Sequence, residues 1–257
     1  MLDRLMLNSG CDIPIASMGV EVRQPTLKDI AKFGEKNLAK VLGLIDYSKK
    51  DYEEYLEAKL DAGESSQEEV EAVKTDLMFM TDFQLILEAA KEETVLRASF
   101  TSLFYFLFPT SKRVVIEEDR FVSISFTDRQ AITLSEEMFL EFKDVVLEMF
   151  LMKGIEKSAF NPVNDKAADI ARKIEERRRK LAAEKGEDED SSPIATNASI
   201  VSTLDGVSIK EVYQYTLPQL YQQLERAMTY STFKDQITLG AFAGLKDVEL
   251  ADYRQKI

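Results

Sequence analysis

The chain has 257 residues, of which 46 are Asp or Glu and 33 are Lys or Arg, so its formal net charge is −13. Apolar residues make up 45% of the chain, a content that excludes global disorder. The single Cys11 and the absence of histidine exclude an intramolecular disulfide, a thiolate metal cluster and any catalytic triad or metal site that needs imidazole.

The first third of the chain predicts short helices with recognisable start signals. A short alternating segment begins at Val20, and Thr26 with Asp29 then forms a capping-box pair at the start of a helix. Gly34 predicts a break in that helix, and Ser48 predicts the cap of another. The apolar positions that follow these caps recur at helical spacing, so we expect each helix to bury one face.

A helical region is predicted from Val70 to Phe108, with one or two interruptions and with a capping box formed by Ser66 and Glu69. Its last part is apolar on nearly every side, which is typical of a buried central helix. The cluster there is either core or a partner-binding surface, and its candidate members for a second apolar surface are Phe100, Phe104 and Leu107.

The hydrophobic period changes to two over residues 112–135, which predicts two or three antiparallel strands joined by short charged turns. Ser135 then predicts the cap of a helix over residues 136–152. The predicted fold class is therefore α+β and predominantly α-helical, with a small antiparallel β-meander inside an N-terminal domain of residues 1–160.

Residues 161–197 are predicted to be a charged helix followed by an acidic linker. The pairs Asp169–Lys173, Glu175–Arg179 and Glu176–Lys180 join acid to base at i, i+4, the favourable orientation on an exposed helix. Because this helix neutralises most of its own charge and the linker after it is acidic, the segment is interpreted as a domain connector and not as a nucleic-acid-binding arm. The linker is predicted over residues 186–197, which are rich in acidic residues and Ser.

Residues 198–257 are predicted to form a small helical C-terminal module. Ser208 with Glu211 and Thr216 with Gln219 are capping boxes, and the second opens a long helix. A module of about 60 residues is at the lower limit of what buries its own core, so its apolar stripe is a candidate partner-binding surface. The candidate partner-binding residues are Leu217, Leu220, Tyr221, Leu224, Met228 and Phe233.

The chain shows no sequence motif that carries chemistry. It has no phosphate-binding glycine loop, no zinc-protease motif and no calcium-loop spacing, so neither a cofactor nor a metal is predicted. No apolar stretch reaches the roughly 18 residues of a membrane span and no secretory signal is predicted, so the chain is expected to be soluble. An enzyme that uses carboxylates with a divalent ion is the least favoured alternative.

Three stretches together resemble a protein family of phages and prophages of Gram-positive bacteria. They are RQPTLKDIAKFGEKN (23–37), NPVNDKAADIARKIEERRRKLAAEKGEDED (161–190) and TLPQLYQQLERAMTYSTFKDQITLGAFAGLKDVELADYRQKI (216–257). The family's features are an Asn-Pro-x-Asn-x-Lys-Ala helix, which the second stretch matches at residues 161–167, and a Tyr-Gln-Leu-x-x-x-Glu-Arg helix, of which the third stretch has Tyr221 with Gln222 and Glu225 with Arg226. The resemblance covers about a third of the chain and is to tail assembly chaperones encoded beside the tape measure protein.

The resemblance implies a non-enzymatic protein that coats apolar helices of the tape measure protein before the tail tube polymerises. It implies the tape measure protein as partner, with the tail tube protein and self-association as further candidates, and neither nucleic acid nor membrane. It also implies a location in the host cell cytoplasm and absence from the mature virion. The alternative is a structural tail, baseplate or tail-completion protein, which would be retained in the virion.

Overall fold

The structure is a computed structural model that describes residues 2–92, 94–116, 122–127, 129–152 and 192–243. It divides into two compact units, Met1–Phe150 and Leu151–Ile257, here called unit 1 and unit 2. Helices predominate and the strands form two small antiparallel sheets, so the predicted α+β class is confirmed. Among the described residues, none of the helices combines the length and apolar character that crossing a membrane requires.

Unit 1 contains eight helices and five strands among its described residues. The helices are α1 (Arg4–Ser9), α2 (Leu27–Phe33), α3 (Glu35–Asp46), α4 (Lys49–Asp61), α5 (Gln67–Met78), α6 (Asp82–Glu92), α7 (Thr94–Leu107) and α8 (Glu136–Met149). The strands are β1 (Ile13–Ile15), β2 (Val20–Val22), β3 (Ser111–Ile116), β4 (Val122–Phe126) and β5 (Ile132–Leu134).

The predicted helix caps of unit 1 are confirmed. The side chains of Thr26, Ser48 and Ser66 each accept a hydrogen bond from the third helical N–H, and the acidic residue at that position binds back to the cap. The predicted break is also present, because α2 ends at Phe33 and α3 starts at Glu35, with Gly34 between them at φ 92°. A positive φ of this kind favours glycine, which explains why the residue there has no side chain.

The N-terminal segment holds two elements that the sequence pattern did not predict. Helix α1 has only six residues, capped by Asp3, and β1 pairs antiparallel with β2 so that Ile13 faces Val22. Both elements are too short for periodicity to reveal them. The buried side chains of both strands belong to the core, and β1 packs against α8.

The three-stranded sheet confirms the predicted meander. Its order is β3-β4-β5 with antiparallel pairing throughout, and a bulge lies between Ser111 and Arg113. The buried face is formed by alternate residues of the central strand, Val122, Ile124 and Phe126. The two predicted charged turns lie at least partly outside the described residues.

A cluster of phenylalanines in stacked, tilted and edge-on contact forms the centre of unit 1 and joins α6, α7, β4 and α8. Ring contacts connect its members in one continuous network, with centroids between 4.4 and 6.5 Å apart. Phe100, Phe104 and Leu107 are fully buried, so the proposal that they form a second partner-binding surface is wrong. They face inward because α7 is covered on different sides by α3, α6 and β3. The cluster comprises Phe83, Phe100, Phe104, Phe108, Phe126, Phe139 and Phe142.

The described part of unit 2 is helical. Its helices are α9 (Pro193–Asp205), α10 (Ile209–Val212) and α11 (Leu217–Ala243). The last five residues of the predicted linker therefore lie in α9, because Ser192 caps the helix and Pro193 occupies its first position, where proline has no N–H to leave unsatisfied. The rest of the predicted linker and the charged helix lie outside the described residues, apart from Ser192 itself.

Candidate partner-binding surfaces

The stripe predicted on α11 divides into a packed side and an exposed side. Leu220 and Ala227 are buried and Leu224 is half-buried, and their spacing places them along one line of the helix. The main contacts of α11 in unit 2 are with α9, which buries Ala198 and Val201. Leu220 has no exposed surface, so its predicted role as a contact for a partner is wrong and its role is in the core.

The exposed side of the stripe is formed by Tyr221 and Met228, with Leu217 half-buried between them and the core. Tyr221 is 40% exposed and Met228 is 56% exposed. Both lie next to the packed line of the helix, so an apolar surface continues from the core of unit 2 to the solvent. This is the arrangement from which a partner helix could extend the packing.

Phe233 lies on a different side of α11 from the predicted stripe. It is five residues beyond Met228, a rotation of about 140° at 3.6 residues per turn. It falls instead on the side of the exposed residues Tyr230 and Ile237, at the helical spacing i, i+3, i+7. The second half of α11 thus carries an apolar side of its own, which the stripe prediction did not separate from the first.

The lengths of the helices limit how much of α11 is covered within the described residues. Helix α11 has 27 residues and α9 has 13, which correspond to about 40 Å and about 20 Å of helix. One α9 can therefore cover only about half of α11. The buried apolar core of the described part of unit 2 is correspondingly small and includes Ala198, Val201, Val212, Pro218, Leu220 and Ala227.

A groove in unit 1 is a second candidate surface, which the sequence prediction missed. It is lined by residues of α3, of the α4–α5 hairpin, of α6 and of α7, and its volume is about 560 Å³. We call it the hairpin groove. Its lining is mostly apolar and aromatic, with Leu44, Tyr47, Tyr52, Val73, Leu77, Met80, Leu85 and Leu96 among its residues.

The hairpin that borders this groove is attached to unit 1 by a small separate core. Leu56 of α4, Val70 and Leu77 of α5 and Leu85 of α6 form this buried cluster. A salt bridge of 2.7 Å between Lys74 and Glu57 joins the two helices of the hairpin on their exposed side. The α4–α5 hairpin, which borders the groove, is therefore held to unit 1 by a small apolar cluster.

Two of the most exposed apolar side chains of the described chain adjoin the groove in sequence. Met78 is 78% exposed and Phe79 is 83% exposed, and they stand between the groove residues Leu77 and Met80. The sequence sign of this exposed surface is the run of four apolar residues, 77–80, just before Thr81, which caps α6. Four consecutive apolar side chains at a helix end cannot all be buried. Exposed large apolar side chains that adjoin an apolar groove are typical of an interaction site.

In unit 1, Glu141 and Glu69 have lowered pKa values because their carboxylates make hydrogen bonds that stabilise the fold. Hydrogen bonding to Ser17 and to the backbone N–H of Ala16 lowers the pKa of Glu141. Hydrogen bonds from Ser66 likewise lower the pKa of the cap partner Glu69. Among the described residues, no group of three or more Cys, Asp or Glu side chains is placed to hold a metal ion.

No protein-family model, curated protein or solved structure matches this chain. The candidate surfaces therefore rest on the residues and their geometry.

Proposed function

We propose that this chain is a phage tail assembly chaperone, which binds apolar helices of the tape measure protein through α11 and keeps them soluble until tail tube subunits replace it. The observation that supports this most is the exposed side of α11, where Tyr221 and Met228 continue the apolar surface of a module with a very small core. The resemblance of residues 216–257 to the C-terminal part of such chaperones supports the same helix.

The residue types on this surface suit reversible binding to many similar helices. A tape measure protein presents a long series of apolar stripes, and stripes of that length aggregate if they are not covered. Methionine adapts its shape to different partners and tyrosine combines an apolar ring with a polar edge, so together they tolerate sequence variation in the bound helix. The net charge of −13 would keep a densely coated complex soluble by mutual repulsion.

The test is co-expression of the full chain with the tape measure protein of the same phage. Replacing Tyr221 and Met228 together by Ser should abolish co-purification and return the tape measure protein to the insoluble fraction. The matched control replaces Leu5 and Leu140, two exposed apolar residues of unit 1, by Ser and should leave binding unchanged. Binding that survives in a folded Tyr221→Ser/Met228→Ser variant would contradict the proposal.

Protein identification in purified phage particles separates the proposal from its alternative. A chaperone should be missing from the finished virion, whereas a tail-completion or baseplate protein should be retained there in a fixed number of copies.

A further inference from the structure

We propose that the hairpin groove is a docking site for a basic amphipathic helix of a partner protein. The inference is independent of the function proposed for α11, because it concerns other residues in the other unit. It rests on three observations: the shape and lining of the groove, the charge of the hairpin beside it, and a glycine in its wall.

The size and lining of the groove fit apolar side chains that project from one helix. Its volume of about 560 Å³ lies in the range of binding pockets, which is roughly 300–1,000 Å³. Leu44, Val73 and Met80 provide half-buried apolar contacts, and Tyr47 and Tyr52 provide aromatic ones. A helix that inserts residues at i, i+3, i+4 and i+7 into a groove uses surfaces of this kind.

The charge around the groove determines which charged residues are favoured beside the apolar face of such a helix. The hairpin segment 49–78 contains ten acidic and four basic residues, so it carries nearly half of the net charge of the chain. Asp76 and Glu88 line the groove itself together with Lys40, and Glu88 also forms a salt bridge of 3.6 Å with Lys91. Lys and Arg beside the apolar face of a bound helix would meet these carboxylates, whereas Asp and Glu would be repelled.

Gly43 keeps space open in the groove, although glycine makes α3 less stable than a residue with a side chain would. It lies in the interior of α3 and lines the groove, and a Cβ atom added there would meet nothing within 4 Å. Neither a close backbone approach nor a positive φ requires glycine at this position. Glycine is a poor residue for a helix interior, so the space that it leaves is best explained by an occupant that comes close to α3.

The experiment uses two fluorescent synthetic peptides of about 18 residues, a length at which helices can form in water. Both have leucine at i, i+3, i+4 and i+7, but one has Lys and Ala at the other positions and the second has Glu and Ala. Binding to the full chain is followed by fluorescence anisotropy. We expect the Lys peptide to bind at least about tenfold more tightly than the Glu peptide, with an affinity that falls as salt is raised.

The variants assign the binding to the groove. Gly43→Leu fills the groove and should weaken the Lys peptide about tenfold or more, whereas Gly43→Ala, which gives α3 a better helix former with little bulk, should bind it nearly as the wild type does. Ala31→Leu adds the same side chain to an exposed position of α2 and should change nothing. Should Gly43→Leu fail to fold, Asp76→Lys, at an exposed position, must weaken the Lys peptide and strengthen the Glu peptide.

Each result decides for or against the site. Equal binding of the two peptides would indicate an apolar pocket without preference for a basic helix and would overturn the proposal. Unchanged binding by folded Gly43→Leu or by Asp76→Lys would place the peptide elsewhere and would overturn it as well.

Discussion

The rings of Phe104 and Phe142 stack with their centroids 5.0 Å apart and their planes 14° from parallel. This contact joins α7 to α8 across the centre of unit 1, and both side chains are fully buried. It accounts for the buried face of α7, whereas Val95, Ala98 and Tyr105 lie exposed on another face, so α7 is not buried on all sides as its apolar composition predicts.

We expect Phe104→Ala to lower the free energy of unfolding of unit 1 by about 3–5 kcal/mol, since it removes a fully buried ring and leaves a cavity. Urea unfolding followed by circular dichroism measures the change. Leu140→Ala, on the exposed side of α8, is the control and should cost much less. If Phe104→Ala had normal stability but no longer bound a partner, Phe104 would belong to a partner-binding surface and not to the core.

Glu141 of α8 holds the turn between β1 and β2. Its carboxylate accepts hydrogen bonds from the backbone N–H groups of Ala16, at 3.0 Å, and Ser17, at 2.8 Å. Glu141→Gln should lower the free energy of unfolding at pH 7 by about 1 kcal/mol, because a hydrogen bond to a charged acceptor is stronger than one to an amide.

The same pair predicts a pH dependence. The pKa of Glu141 is lowered in the fold from its ordinary value of 4.5. Its contribution is therefore complete above that value and is lost as the pH falls through the lower pKa of the folded state. The difference between wild type and Glu141→Gln should shrink below about pH 4.5 in urea titrations. Glu225→Gln, at an exposed position of α11, is the control for the substitution and should leave the free energy of unfolding at pH 7 nearly unchanged. A difference between wild type and Glu141→Gln that persists at pH 2 would argue against this role.

Gly43 and Gly19 form a matched pair for a stability test. An added Cβ meets nothing within 4 Å at either position, but Gly19 has a φ of 62° and Gly43 lies in a helix. Gly43→Ala should raise the free energy of unfolding by about 0.5–1 kcal/mol. Gly19→Ala should lower it by about 1–2 kcal/mol, because a side chain is strained in the left-handed region. Thermal unfolding measures both, and a destabilised Gly43→Ala would mean that α3 needs its glycine for packing.

Leu220 and Tyr221 are neighbours in sequence with opposite environments. Leu220→Ala should lower the stability of unit 2 by about 2–5 kcal/mol, because its side chain is fully buried in a small core. Tyr221→Ser should leave the stability nearly unchanged. Circular dichroism of the two variants in parallel tests the division of the α11 stripe. Equal losses would show that Tyr221 also belongs to the core.

The sequence predicted those helices and strands that are determined by residues close together in the chain. Thr26, Ser48, Ser66 and Ser208 each begin a helix where the capping pattern places them, because a cap depends on side chains three residues apart. The alternation over residues 112–135 predicted the strands of the meander, because a period of two is also a relationship between neighbouring residues. Strand β1 was missed because three residues show no period, and it packs against α8, which lies far away in sequence.

The candidate surfaces were only partly predictable from the sequence. A helical stripe shows that residues share a side of a helix, but the width that a neighbour covers is set by packing, so the exposed Tyr221 could not be separated from the buried Leu220. The hairpin groove was missed because its walls come from separate helices. Its local signs were Gly43 inside a helix and the apolar run of residues 77–80, and each of these has several meanings without the structure.

The packing of β1 on α8 has a consequence for synthesis on the ribosome. Ile13 and Ile15, with the strand partners Val20 and Val22, are buried in the finished fold, and Ser17 beside them binds Glu141, 124 residues later in the chain. At translation rates of about 5–20 residues per second, these apolar strands wait about 6–25 s before α8 exists. The nascent N-terminal hairpin is thus exposed to the cell for that interval. The segment that is made first reaches its native contacts only after most of unit 1 has left the ribosome.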